Sequence, residues 1–420
     1  MKRICSFLAI AFAVFAFGGC SKDDTRGKDD DRKTWVAFSI NSAKPHTYAD
    51  VDAGLDAESK INTLDVVIFK DNGDFEKVAT FSNLGSTNQT DPISITMGEK
   101  YFLVFVNAST EIRNYLNTQS SSSAPDNKSV FVDKAANLGA SDDIINYANA
   151  ANGGSFMMTN TDYDVNKQVT YFSSSDAAKT SPIEFKVKRL VAKVELATAE
   201  SIKNTGIGSD GVVKSIEVQL YSQNKSSYLF EKFQDKVNGL ISNPNYNSNT
   251  ENASSSYFIP DSPLWSSAAT LVENSIGTSN VFTNAFYCFE NSNPIEKQRK
   301  NNTTHLILRV KFQPSNITSN SYYYQGGVYS ATKPSGNSSY YENGYMYYHL
   351  YFKHDESLAP NNQQYMLVRN NWYKIILSTI YAPGDANFIV PSSSAIQADG
   401  NISFQLKVED WNVISRTVTI

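Results

Sequence analysis

Apolar and polar residues alternate with a period of two near both ends of this chain, and that alternation limits what the ends can become. Val36-Ala-Phe38-Ser-Ile40 near the start and Ile402-Ser-Phe404-Gln-Leu406-Lys-Val408 near the finish each put large apolar side chains at every second position. A helix would scatter such residues around its circumference, whereas a strand lays them on one side of a sheet. Both ends therefore read as strands that cover a hydrophobic core. Trp411 and Val413 continue the second strand with the opposite parity, which marks a β-bulge or a break between two short strands. Ends that look like alternative covers for one groove allow one copy to lend a strand to another. An extended segment adds to a sheet edge through main-chain hydrogen bonds and side-chain pockets.

The interior of the sequence continues the β pattern. Ile61 to Lys70 leads into Asp71-Asn72-Gly73-Asp74, a hairpin signal, and Tyr101 to Val106 is a continuous apolar run suited to a strand buried on both faces. Ile183 to Leu196 alternates with one slip near Arg189, and further strands are expected at Ile216–Leu220, His305–Phe312, Tyr345–Phe352 and Trp372–Tyr381. Glu111 to Ala150 has weaker periodicity and room for short helices, and Ser222 to Asn280 reads as a loop-rich excursion. With 420 residues, 41% of them hydrophobic and 19% charged, the chain has ample material for more than one core. The expected class is all-β, two sandwich domains with long polar loops and a few short helices. A composition break at Ser173 to Pro182 divides an N-terminal domain, residues 34–180, from a C-terminal one, residues 181–420.

The first residues have a separate task. Lys2 and Arg3 precede the mainly apolar stretch Ile4 to Phe17, and Phe17-Gly-Gly-Cys20 closes it. This is an export signal, residues 1–19, too short for a stable membrane span. Cys20 stands where a bacterial lipoprotein carries its acyl chains, and residues 20–33 form a charged tether. Cys5 leaves with the signal and Cys20 takes lipid, so Cys288 is the one thiol of the processed body and no internal disulfide can form.

Catalytic patterns are scarce. The histidines are His46, His305, His349 and His354; His349 and His354 are five apart on an expected strand, face opposite sides and make a poor ligand pair. No zinc-protease, nucleophile-elbow or phosphate-loop motif occurs, so neither a metal nor a cofactor is expected and the chain reads as no enzyme. Glu409-Asp410 beside Trp411 would suit a sugar hydrolase, and equally a strand end. With a formal charge of -5 and no long basic run, nucleic acid is not an expected partner. Tyr322 to Tyr324, Tyr329, Tyr340, Tyr341, Tyr345, Tyr347, Tyr348 and Tyr351 allow a second reading, a surface glycan-binding lipoprotein, although alternating tyrosines are also ordinary cross-strand partners.

Several stretches, in their order along the chain, resemble the fimbrillins of the type V pilus class, most of all the minor-fimbria shaft subunit. They are the lipobox followed by Ser21-Lys22, Glu58-Ser-Lys60-Ile-Asn62, Lys186-Val-Lys-Arg189, Asn301-Asn-Thr-Thr304, Arg369-Asn-Asn371-Trp-Tyr373 and the closing Val408 to Trp411. The resemblance implies two transthyretin-like β-sandwich domains, export as a lipoprotein through Cys20, and passage to the outer membrane. It further implies that a trypsin-like surface protease removes the first strand, Thr34 to Ser42 with Val36, Phe38 and Ile40. The vacated groove then takes the C-terminal strand of another copy or a related fimbrial subunit, through Ile402, Phe404, Leu406, Val408, Trp411 and Val413. The implied role is a structural subunit of a surface fimbria that supports adhesion to host or bacterial surface ligands. Lys44 occupies the place of the cut and is followed by Pro45; Lys60 is the next lysine, and a cut there would shave the following strand.

Overall fold

The computed structural model describes residues 32–42, 58, 60–82, 84, 87–137, 155–235, 240–244, 265, 268–278, 281–354, 365–396 and 400–410. In the first half lie β1 (Lys33–Val36), β2 (Phe38–Ser42), β3 (Thr63–Lys70), β4 (Phe75–Ser82), β5 (Ile93–Thr96), β6 (Gly98–Val106), β7 (Ala135–Asn137), β8 (Met158–Asn160), β9 (Lys167–Val169) and β10 (Ile183–Arg189). The second half carries β11 (Val191–Thr198), β12 (Gly211–Tyr221), β13 (Ser226–Tyr228), β14 (Phe233–Asp235), β15 (Leu240–Ile241), β16 (Ala269–Val272), β17 (Phe286–Phe289) and β18 (His305–Pro314). It ends with β19 (Tyr322–Gln325), β20 (Val328–Ser330), β21 (Ser339–Tyr341), β22 (Tyr345–Leu350), β23 (Asn371–Ile380) and β24 (Ile402–Asp410). The protein is all-β, and its short helices include α1 (Thr110–Ser121) and α2 (Lys128–Asp133), capped by the side chains of Ser109 and Asn127.

The first core is built on a seven-stranded sheet in the order β2-β10-β8-β6-β3-β4, with β9 on the end of β6 and the pair β1-β5 beside it. Phe38 of β2 and Phe81 of β4 come from opposite edges of that sheet, yet their ring centroids are 6.1 Å apart. The sheet therefore curls until both edges face one core. Central β6 is buried along Phe102 to Val106, as a run without alternation requires. The β3–β4 hairpin closes at Asp71-Asn72-Gly73-Asp74, where Gly73 holds φ +85°, open to a residue without Cβ.

The second core is a sandwich of two four-stranded sheets, β17-β11-β23-β24 and β16-β12-β18-β22. Between them lie Val194 and Leu196 from β11, Ile216 and Val218 from β12, Leu308 and Val310 from β18, Tyr348 from β22 and Ile375 from β23. Alternation along these strands puts every second side chain inward.

The expected strand Ile183 to Leu196 is two strands separated by Leu190, one in each core. β10 belongs to the first sheet, so the change of core falls beyond the composition break rather than in it. Both halves of this spine take a parallel neighbour: β2 beside β10, with Phe38 against Ile183, and β23 beside β11, with Trp372 against Lys193. The expected loop-rich excursion after Ser222 contains β13 to β16, of which β13 reaches back to pair with β7. Polar composition concealed these short strands because their partners, not their own alternation, hold them.

Candidate functional site

The strand over Lys33–Ser42 crosses from one sheet to the other at Ala37 and is hydrogen-bonded along both sides. In its first half β1 pairs with β5 in the register Trp35 to Ser94, and Met97 N donates to Arg32 O at 2.8 Å. On the other side the Thr34 hydroxyl donates to Thr170 O at 3.1 Å and accepts from Phe172 N at 2.7 Å. In its second half β2 lies parallel to β10 on one side, and a strand-like segment approaches on the other. There Thr90 N donates to Phe38 O at 2.9 Å, Phe38 N to the Thr90 hydroxyl at 3.0 Å, and Ile40 N to Asn88 O at 3.1 Å. Val36, Phe38 and Ile40 are buried, and so are Ala37 and Ser39 between them, because the strand is covered on both faces. The Phe38 ring is wholly buried against Phe81, Phe102 and Phe185, with centroids 5.7 Å from the last two. Lifting this strand out would leave an apolar groove with unpaired main-chain groups on both walls, a receptacle for another extended segment.

At the other end, β24 forms the edge of its sheet, antiparallel to β23 from Ile402 against Ile380 to Asp410 against Asn371. Ile402 is buried, and Phe404 and Leu406 pack part-buried on the second core. The stretch expected as the donor strand thus rests, through Asp410, on its own body, because Phe404 and Leu406 find an apolar surface there. The register shift in this pair sits at Ser378 of β23, β24 is unbroken to Asp410, and the change of parity expected at Trp411 lies outside the described residues. Cys20, Lys44, Trp411 and Val413 lie outside the described residues, as do the side chains of Val408, Glu409 and Asp410.

Three of the stretches that carried the resemblance, through Glu58, Arg189 and Asn370 to Trp372, meet at the seam between the two cores. Arg189, wholly buried at the end of β10, donates from its backbone N to Asn370 Oδ1 at 3.1 Å and from Nε to the Glu58 carbonyl at 3.0 Å. Glu58 is itself wholly buried; its Oε1 accepts from the Tyr287 hydroxyl at 2.5 Å and faces Lys193 Nζ at 3.1 Å. Lys193 also lies over the Trp372 ring at 3.7 Å, and Trp372 Nε1 donates to Glu195 at 2.8 Å. Burial raises the Glu195 carboxyl above its usual range, with Lys193 acting against it. Nearby, Arg369 grips Glu290 with two hydrogen bonds, 2.8 Å from Nε and 2.5 Å from the second nitrogen, and donates to the carbonyls of Leu229 and Tyr228. The Arg189 and Glu58 contacts join the two halves, so these motif residues act as structural clamps. Reading the sequence missed Lys193 and Glu290, whose one signal was a charged residue amid apolar ones, and gave Glu58 no role beyond its place in a motif.

Other candidates resolve into packing. His349 meets His305, its ring nitrogen 3.2 Å away, while His354 bonds the Tyr373 hydroxyl at 2.8 Å. Among the described residues no group of three or more His, Cys, Asp or Glu could hold a metal. Tyr322, Tyr329, Tyr341, Tyr348 and Tyr351 are buried, so half of the tyrosine concentration is core. The Tyr323 and Tyr340 rings meet tilted, centroids 4.9 Å apart, across two strands of the small β20-β19-β21 sheet. Cys288 is buried, which pushes its thiol pKa up and leaves it inert.

Residues 339–417 match the family model for the C-terminal region of the type IV major fimbrial subunit protein, fimbrillin. No curated protein matches the sequence. Among solved structures, a provisionally assigned cell adhesion protein from Parabacteroides distasonis ATCC 8503 shares 18% identity over 90% of this chain and 99% of its own, with a TM-score of 0.53. A fimbrilin from Porphyromonas gingivalis W83 shares 16% identity over 90% of this chain and 97% of its own, also with a TM-score of 0.53. At such identities the structures establish likeness of fold.

Proposed function

We propose, from the premise that this chain carries a fimbrillin C-terminal region on a fimbrillin fold, that it is a structural subunit of a cell-surface fimbria assembled by strand replacement. The observation that supports this most is the Lys33–Ser42 strand, whose side chains fill a core while both its edges are paired. Removal of that strand by a trypsin-like surface protease, together with the lipid on Cys20, opens the groove. A neighbouring copy or a related subunit then fills it. Ile402 to Leu406 are held on β23 in the isolated subunit, so the donor is the stretch that begins after Asp410, with Trp411 and Val413. Peeling β24 as well would expose Ile402 and unpair the β23 edge, at a cost the shorter donor avoids. Before processing, the acyl chains hold the subunit at the outer membrane; afterwards the polymer supports adhesion to host or bacterial surface ligands.

Truncation after Asp410 tests the reading. The truncated chain is expected to keep its melting temperature as a monomer and to form no polymers under electron microscopy. Polymers of normal length from that chain would refute strand donation.

A further inference from the structure

The link between the removable strand and the first retained strand is fastened at its far end. Glu58 sits in the seam, with its carboxylate on Tyr287 and Lys193 and its carbonyl on Arg189. Two residues later the Lys60 carbonyl accepts from Asn107 Nδ2 at 2.8 Å, and Asn107 Oδ1 accepts from Asn62 N at 2.8 Å and Thr63 N at 3.2 Å. The Asn62 amide group in turn donates to the Ser155 hydroxyl at 2.6 Å. Asn107 holds a left-handed backbone, φ +53°, and its own N donates to Thr63 O at 2.9 Å, so its amide is fixed toward this segment.

A protease of trypsin type must draw several residues on both sides of the scissile bond into its own cleft. The Lys60 side chain is exposed and offers the right charge, but the carbonyl of the Lys60–Ile61 bond is already an acceptor, and the residues flanking it are pinned. A cut there would also send Glu58 away with the strand. Lys193 would lose the Glu58 carboxylate and Arg189 the Glu58 carbonyl, which is costly for buried cations already stripped of water.

We propose that Glu58 is an anchoring residue that clamps the new N-terminal end of the processed subunit onto the seam, and that Glu58 and Asn107 together withhold the Lys60–Ile61 bond from the processing protease. This rests on the reading that the first strand is removed by proteolysis. The clamp separates two events that a single segment would otherwise couple. The strand can leave while the seam between the cores stays closed, so the groove opens without loosening the body that lines it.

The test is limited trypsin digestion of the full chain under native conditions, followed by mass spectrometry. The readout is the rate at which the fragment beginning at Ile61 appears, with the Arg299–Lys300 cut in the same molecule as control. Glu58→Gln and Asn107→Ala should each speed the Ile61 fragment at least about tenfold, the population of the opened segment setting the rate, and leave the control cut unchanged. Equal rates in wild type and both variants would overturn the proposal, as would equal acceleration at both sites, the mark of general loosening. Should Asn107→Ala fail to fold, the near-isosteric Glu58→Gln carries the test alone. The readout is taken on monomer, so its failure leaves polymer assembly untouched, and loss of polymer assembly leaves the clamp untouched.

Discussion

His305 shows how one buried group ties this fold to pH. Its Nδ1 faces the Thr303 carbonyl at 2.8 Å, and a carbonyl can only accept, so Nδ1 carries the proton and Nε2 accepts from His349. The ring stacks on Tyr351 at 4.2 Å. Burial first and the neighbouring His349 second lower its pKa from 6.5 to about 3, with Thr303 acting the other way. The sign follows from which state takes up protons. Between these two values the unfolded chain protonates the imidazole and the folded chain does not. The stability this group contributes is present above about pH 6.5 and is lost as pH falls toward about 3. Urea unfolding at pH 7.5 and pH 5 should differ by on the order of 2 kcal/mol through this residue. His305→Gln should flatten the profile in that window; an unchanged slope would place the dependence on other groups. None of this could be read from the sequence, where His305 is one polar residue before an apolar run.

Among the elements, the strand over β1 and β2 has an unusual balance of contacts. It is paired along both sides, and the Phe38 side chain fills the first core. Its inward residues were legible as Val36, Phe38 and Ile40 because alternation alone defines them. Its neighbours were not, since β10 is far off in sequence and lies parallel to it. Truncating Phe38→Ala in the full chain should cost about 3–5 kcal/mol, because the Phe81, Phe102 and Phe185 rings around it collapse only in part. Denaturant midpoints measure this. A loss below about 1 kcal/mol would mean that the first core does not depend on the strand. The spine formed by β10 and β11 follows the same logic: by sequence it is one long strand with a slip near Arg189, and only the packing showed that it is two strands, one in each core.

On the scale of the whole molecule, the two cores are fastened together. The first hydrophobic cluster includes Phe289 and Trp372 from the second half of the chain, and the Glu58, Arg189 and Arg369 clamps lie along the same seam. Scanning calorimetry of the full chain should therefore show one transition with equal calorimetric and van't Hoff enthalpies; two separated transitions would show halves that unfold independently. By itself the sequence determined the all-β class, the sites of the longer strands, the turn at Asn72-Gly73 and the inward face of each terminal strand, because each follows from neighbours a few residues apart. Tertiary structure alone decided that β24 rests on its own β23, that Lys33–Ser42 spans two sheets, and that Glu58 is buried against Lys193. Strand partners and buried ion pairs arise from residues distant in the chain, and a period of two specifies a face without specifying what lies across it.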